Sequence, residues 1–274
     1  MKYRFYALAV LALSCFLLIP SRAVPQADYD VIAVKNGGTI SGTVKWTGPR
    51  VRPPSVAITK NPEICDPEGT KIRDLERLEV GRDDGVSNTV VYLENISQGK
   101  AMDLPIARRT LDQKNCRYVP HISLVPVHEE IAVKNSDPIL HTVQMMGAAS
   151  INLPFPFENQ FIKRQLNNPG VVDLKCNAGH TWMNGVILVV RQPYIAITDE
   201  HGDFRLTDVP PGQYQIAAWH ESWKVAREAQ TLDVGTQQMT KRLFFGEPVV
   251  IEKNVEIKPN GSATVEFQLS SASH

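Results

Sequence analysis

The sequence predicts an all-β protein, a sandwich or barrel. Two observations carry this. No stretch sustains a 3.6-residue apolar period, and short runs rich in Val, Ile, Thr and aromatic residues recur between Gly, Pro, Asn and Asp turn signals. The length of 274 residues allows one large domain or two ordinary ones, and a 43% hydrophobic, 21% charged composition suits a chain with a real core.

Element by element, Met1 to Ala23 reads as a secretory signal peptide. Lys2 and Arg4 precede an apolar run from Tyr6 to Ile19, and Ser21-Arg22-Ala23 supplies small residues for cleavage. That run is short for a membrane span, and nothing later is long and apolar enough to cross a bilayer. A lipoprotein anchor at Cys15 is disfavoured because the apolar run continues past it. The expected location is the periplasm or the extracellular medium.

Thr39 to Trp46 alternates, with Ile40, Val44 and Trp46 on one face, and reads as a half-buried strand. Pro49, Pro53 and Pro54 end it. Residues 61–84 read as loop, with a helical turn near Asp74–Arg77. Thr89 to Leu93 is a β-rich run, and Lys100 to Lys114 a long connection. Strands are expected at Ile122–Val127, Ile131–Lys134, Leu140–Met145, Val171–Cys176 and Val186–Val190. Residues 152–168 read as mixed, with a helical turn at Glu158–Arg164. Beyond Pro193, runs at Tyr194–Thr198, Phe204–Leu206 and Tyr214–Trp219 are separated by Asp199-Glu200-His201-Gly202 and Pro210-Pro211-Gly212. Asn254–Lys258 and Ala263–Leu269 flank Asn260-Gly261 like the arms of a hairpin. The best domain boundary falls at Arg191–Pro193.

Lys plus Arg equals Asp plus Glu, 29 against 29, so the chain lacks the basic excess of a nucleic-acid binder. Loss of Lys2, Arg4 and Arg22 with the signal leaves 26 basic and 29 acidic residues, a net charge of −3. Signal removal also takes Cys15 and leaves an odd set, Cys65, Cys116 and Cys176. In an oxidising compartment a leftover thiol needs a role.

Cys176-Asn177-Ala178-Gly179-His180-Thr181-Trp182-Met183 sets a thiol, an imidazole and a thioether at i, i+4 and i+7. His141 opens a strand after Asn135-Ser136-Asp137-Pro138. Two imidazoles, one thiolate and a weak axial thioether are the donors of a mononuclear blue-copper centre. A tight loop turned at Gly179 can aim three of them inward, and the fourth comes from a second strand. Met145 and Met146, on the His141 strand, are the other thioethers in range.

These two segments resemble the cupredoxins, with their Cys-x-x-Gly-His-x-x-Met copper loop and upstream Asn-x-Asp-x-x-x-His strand, over about Val119 to Val190. Tyr194–Glu221 resembles the carboxypeptidase-regulatory-like β module that follows the copper domain in some exported bacterial proteins. The resemblance implies a Greek-key cupredoxin-like β-sandwich over residues 24–190, with an N-terminal extension, followed by a smaller transthyretin-like sandwich over 191–274. It implies one type 1 copper held by His141, Cys176, His180 and, weakly, Met183. With Cys176 given to the metal, Cys65 and Cys116 are left to form a disulfide. The second His stands four residues after Cys where close relatives often have three and then Pro, and Thr142 replaces the usual Asn.

The function this implies is single-electron transfer between redox partners, for example a c-type cytochrome or a periplasmic oxidoreductase. Docking is expected through a small apolar patch helped by Trp182, and the electron is expected to leave through a surface-near His180. The chain is expected not to be an enzyme, because no His-x-His pair or His beside Cys176 offers a second metal centre. A metal-free interaction protein and a copper carrier or copper-dependent enzyme are the alternatives. His121 is expected to be structural, His128 to lie in a solvated turn, and His220 to be structural or part of a surface site.

Overall fold

The computed structural model describes residues 29–233 and 236–273, so the signal-peptide segment and Cys15 lie outside the described residues. The regular secondary structure of the described chain is nearly all strand, in two sandwiches. No described helix is long and apolar enough to cross a membrane.

The first sandwich carries the candidate ligands. Its five-stranded sheet runs Ile151–Phe155, His141–Gly147, Gly170–Lys175, Asn184–Val190 and Ile122–Pro126. Its four-stranded sheet runs Phe161–Gln165, Glu130–Asn135, Thr110–Lys114 and Arg117–Val119. Each sheet holds one parallel pair: Ile122–Pro126 beside Asn184–Val190, and Thr110–Lys114 beside Glu130–Asn135. Alternation does the sorting. Val143 and Met145 from one sheet and Ile131 and Val133 from the other enter one buried cluster with Leu111, Phe155 and Leu174. The expected helical turn at 158–164 is instead the edge strand Phe161–Gln165, and the long connection ends in the strand Thr110–Lys114. The turn expected near 74–77 is absent. The short helix is Pro62–Cys65, with Pro at its start where a missing N–H costs nothing.

The second sandwich takes strands from both ends of the chain. Gly38–Thr47 lies between Asp203–Val209 and Ser262–Ser270, parallel to the latter. Val90–Leu93 lies between Ile195–Ile197 and Gly212–His220, and Val249–Ile257 forms the far edge of that sheet. A division at residue 190 therefore does not follow the sheets. Ile40, Val44, Val91 and Leu93 share a buried core with Ile216, Val265 and Phe267, so two N-terminal strands complete the C-terminal sandwich. Asn260-Gly261 does not join a hairpin either. Val249–Ile257 and Ser262–Ser270 belong to opposite sheets, whose apolar faces meet in that core.

The sandwiches join through apolar outer faces, where Ile122, Leu124 and Val186 of the first pack with Val90, Ile195 and Trp219 of the second. One further element extends from the second sandwich. Val225–Asp233 and Gln238–Phe245 pair only with each other. This hairpin reaches the ligand loop of the first sandwich, as the contacts below show.

Candidate metal centre

His141 is placed by the loop before it. The Asn135 side-chain amide donates to the carbonyls of Ile139 (3.1 Å), Phe155 (3.3 Å) and Phe157 (3.1 Å). Its own oxygen accepts the Asp137 amide at 3.2 Å. The Asp137 carboxylate, buried with the loop, accepts the amides of Asn115 and Cys116, both at 2.8 Å, and His141 Nε2–H at 2.9 Å. Burial alone would raise this carboxyl, but the bonds from His141 and the two amides outweigh it and hold it below its ordinary value. Asp137 therefore stays ionised, accepts His141 Nε2–H and turns the ring so that Nδ1 faces inward.

Cys176 follows the strand Gly170–Lys175, and a tight turn brings His180 back toward it. Gly179 sits at φ +94°, and a Cβ there would stand 1.9 Å from an Asp233 carboxylate oxygen of the hairpin. His180 Nε2 faces Asn61 Oδ1 at 3.1 Å, which leaves its Nδ1 inward as well. Thr142 ties the strand to the loop. Its amide donates to Cys176 Sγ at 3.4 Å, and its hydroxyl accepts the Asn177 amide at 2.6 Å.

Three donors converge. His141 Nδ1 and His180 Nδ1 are 3.2 Å apart, and Cys176 Sγ lies 4.0 Å from the first and 3.7 Å from the second. All three residues are 0% exposed. A point equidistant from the corners of such a triangle lies about 2.1 Å from each, within the roughly 2.0–2.3 Å of metal–imidazole and metal–thiolate bonds. Two Nδ1 atoms facing at this distance are satisfied by a shared proton or by a cation between them. Burial would raise the Cys176 thiol, but the two rings outweigh it and bring it well below its ordinary value. The residues present fit a soft, thiolate-binding metal.

Cys65 and Cys116 form a disulfide, with their Cα atoms 5.2 Å apart. Their sulfurs come within 4.8 Å of a His180 ring nitrogen. Being bonded to each other they are not free thiolates, so His141, Cys176 and His180 are the set with three available donors. Met183 is buried in the same apolar cluster as Cys176, its amide donating to the His180 carbonyl at 3.1 Å. Met145 is buried there too.

Two expectations fail. His180 is not near the surface, because Asn61 and the hairpin cover it. Arg242 of the hairpin donates to the Cys176 carbonyl at 2.8 Å, and Asp233 pairs with Lys60 at 3.0 Å. Trp182 is close to His180, 5.4 Å between ring centroids, but only 2% exposed. Its indole N–H donates to the Cys116 carbonyl at 3.1 Å, so it is packing and not a docking surface. His121 is structural, paired inside the protein with Glu221, which also binds Arg77 at 2.7 Å. His220 is buried, bonded through Nδ1 to the Glu221 carbonyl at 2.7 Å, and is not a surface site. His128 lies exposed in its turn at φ +68°.

Residues 192–243 match the family described as the second beta sandwich domain of NOMO1-like BOS complex subunits. No curated protein matches the chain. Among solved structures, a reduced amicyanin variant is 21% identical over 30% of this chain and 80% of its own, with a TM-score of 0.28. A purple cupredoxin from Nitrosopumilus maritimus is 19% identical over 30% of this chain and 98% of its own, TM-score 0.26. The copper-containing nitrite reductase of Thermus scotoductus is 19% identical over 34% of this chain and 24% of its own, TM-score 0.28.

Proposed function

We propose that this chain is an exported type 1 copper protein that carries single electrons between redox partners. The observation that carries the reading is the buried triangle of His141 Nδ1, His180 Nδ1 and Cys176 Sγ, each donor fixed from behind. Two imidazoles and one thiolate are the strong donors of such a site, so His141, His180 and Cys176 would hold the copper, and Met183, buried on the same loop, would be the weak thioether donor. When bound, copper supplies the one-electron Cu(I)/Cu(II) couple.

The chain's own residues supply rigidity. Asp137 holds the His141 ring and Asn61 faces the His180 ring. Thr142 donates to the sulfur, and N–H donation to a thiolate tunes its donor strength. A β scaffold closed by the Cys65–Cys116 bridge resists movement of the donors, so little reorganisation opposes electron transfer. Because His180 is covered, the exit assigned here is the His141 side. Leu140, its chain neighbour, is 49% exposed and Phe157 beside that loop is 71% exposed, an apolar surface for a redox protein such as a c-type cytochrome.

The test is copper stoichiometry in residues 24–274 and in Cys176→Ser. One tightly held copper per wild-type chain and none in a folded variant is the expected result. Equal copper content in the two would overturn the reading.

A further inference from the structure

A cavity of about 380 Å³ lies where the two sandwiches and the hairpin meet, and Thr181 and Met183 of the ligand loop form part of its wall. Three cations face it, Arg77, Lys175 and Arg242, and Arg77 is taken up by Glu221. Lys175 is the last residue of the strand that delivers Cys176, and Arg242 comes from the hairpin. Both are half-buried, and among the described residues neither has a carboxylate within ion-pair distance. Arg242 spends one N–H on the Cys176 carbonyl, and Lys175 Nζ lies 4.8 Å from the centre of the Phe244 ring.

The cavity's acids are placed otherwise. Glu221 is held by Arg77 and His121. Asp173 and Glu247 are solvent-exposed. Half-burying Lys175 and Arg242 with no carboxylate at ion-pair distance costs free energy, and an anion gripped by both offsets part of that cost. Trp219, Phe244 and Phe245 line the same space, which suits a carbon skeleton behind the charge.

We infer that this cavity is a binding site for a small organic carboxylate, gripped by Lys175 and Arg242 against the aromatic wall. Arg242 is also the link to the metal centre. A carboxylate that draws on its guanidinium changes the hydrogen bond to the Cys176 carbonyl, so the occupant modulates the centre. This coupling rests on the copper reading above, whereas the binding site itself does not.

The experiment uses metal-free protein first, with benzoate as the probe and benzamide as its uncharged counterpart at matched ionic strength. Benzoate is expected to raise the thermal midpoint and to give a calorimetric binding isotherm; benzamide is not. Lys175→Gln and Arg242→Gln are each expected to weaken benzoate binding about tenfold or more. Either variant suffices if the other fails to fold. Equal effects of benzoate and benzamide, or unchanged benzoate affinity in a folded variant, would overturn the site. Copper-loaded protein then tests the link. A benzoate-dependent shift in its visible spectrum supports it, and an unmoved spectrum at saturating benzoate overturns it. Protein that binds benzoate but no copper would refute the copper reading and leave the carboxylate site standing.

Discussion

Replacing Asp137 with Asn separates the parts of the centre. The carboxylate accepts three N–H groups, from Asn115, Cys116 and His141, at 2.8, 2.8 and 2.9 Å. The amide of Asn keeps one oxygen and presents an NH₂ where the second stood. Oriented to keep the two bonds made by Oδ2, it faces the Asn115 N–H donor to donor. One part-buried charge-assisted bond is lost, and the other two lose their ionic acceptor. A hydrogen bond to a charged group contributes about 1.5–3 kcal/mol, so the metal-free protein should lose roughly that amount. His141 also loses the charge that orients its ring, and removing a partner of this kind typically costs about 10–100-fold in metal affinity. The assays are urea denaturation of metal-free protein and copper competition against a chromophoric chelator. Wild-type denaturation midpoint and wild-type affinity together would refute the reasoning that Asp137 sets the position of His141.

Three further outcomes are expected. His121 titrates above its ordinary value because Glu221 outweighs burial, and Glu221 lies below its own because His121 and Arg77 outweigh burial. The stability that His121 adds over His121→Gln should therefore be full below about pH 6.5 and fade as pH rises through the raised His121 value. It should fade again in acid, through the lowered Glu221 value; a pH-independent difference would contradict this. Gly179→Ala meets both a left-handed backbone and the Asp233 carboxylate, so it should cost about 1–3 kcal/mol and expose residues 225–245 to limited proteolysis. Unchanged proteolysis would mean that the hairpin does not rest on that loop. Opening the Cys65–Cys116 bridge, which spans 51 residues of sequence, should cost about 2–4 kcal/mol in denaturation with and without reductant.

The cluster of His141, Cys176 and His180 was legible because its chemistry is local: Cys176, Gly179 and His180 lie within five residues, and His141 opens a strand with an acid four residues before it. The strands that alternate were legible for the same reason. What Thr39–Trp46 could not reveal is its partner, because alternation says which face is buried and not against what. It pairs with Ser262–Ser270, at the other end of the chain. The hairpin 225–245 escaped because its first arm, Val225–Asp233, is exposed on both faces and has no apolar period to detect. With it escaped the cover over His180 and the placement of Arg242. Asn61, which faces His180 Nε2 from 119 residues away, carries no sequence signal of that role.

The most direct measurement is the visible and electron paramagnetic resonance spectrum of residues 24–274 after copper loading and removal of excess metal. The account predicts an intense blue or green thiolate-to-copper band at one copper per chain, bleached by one electron and absent from His141→Ala and Cys176→Ser. A colourless protein, or a spectrum of copper with nitrogen and oxygen donors alone, would contradict it.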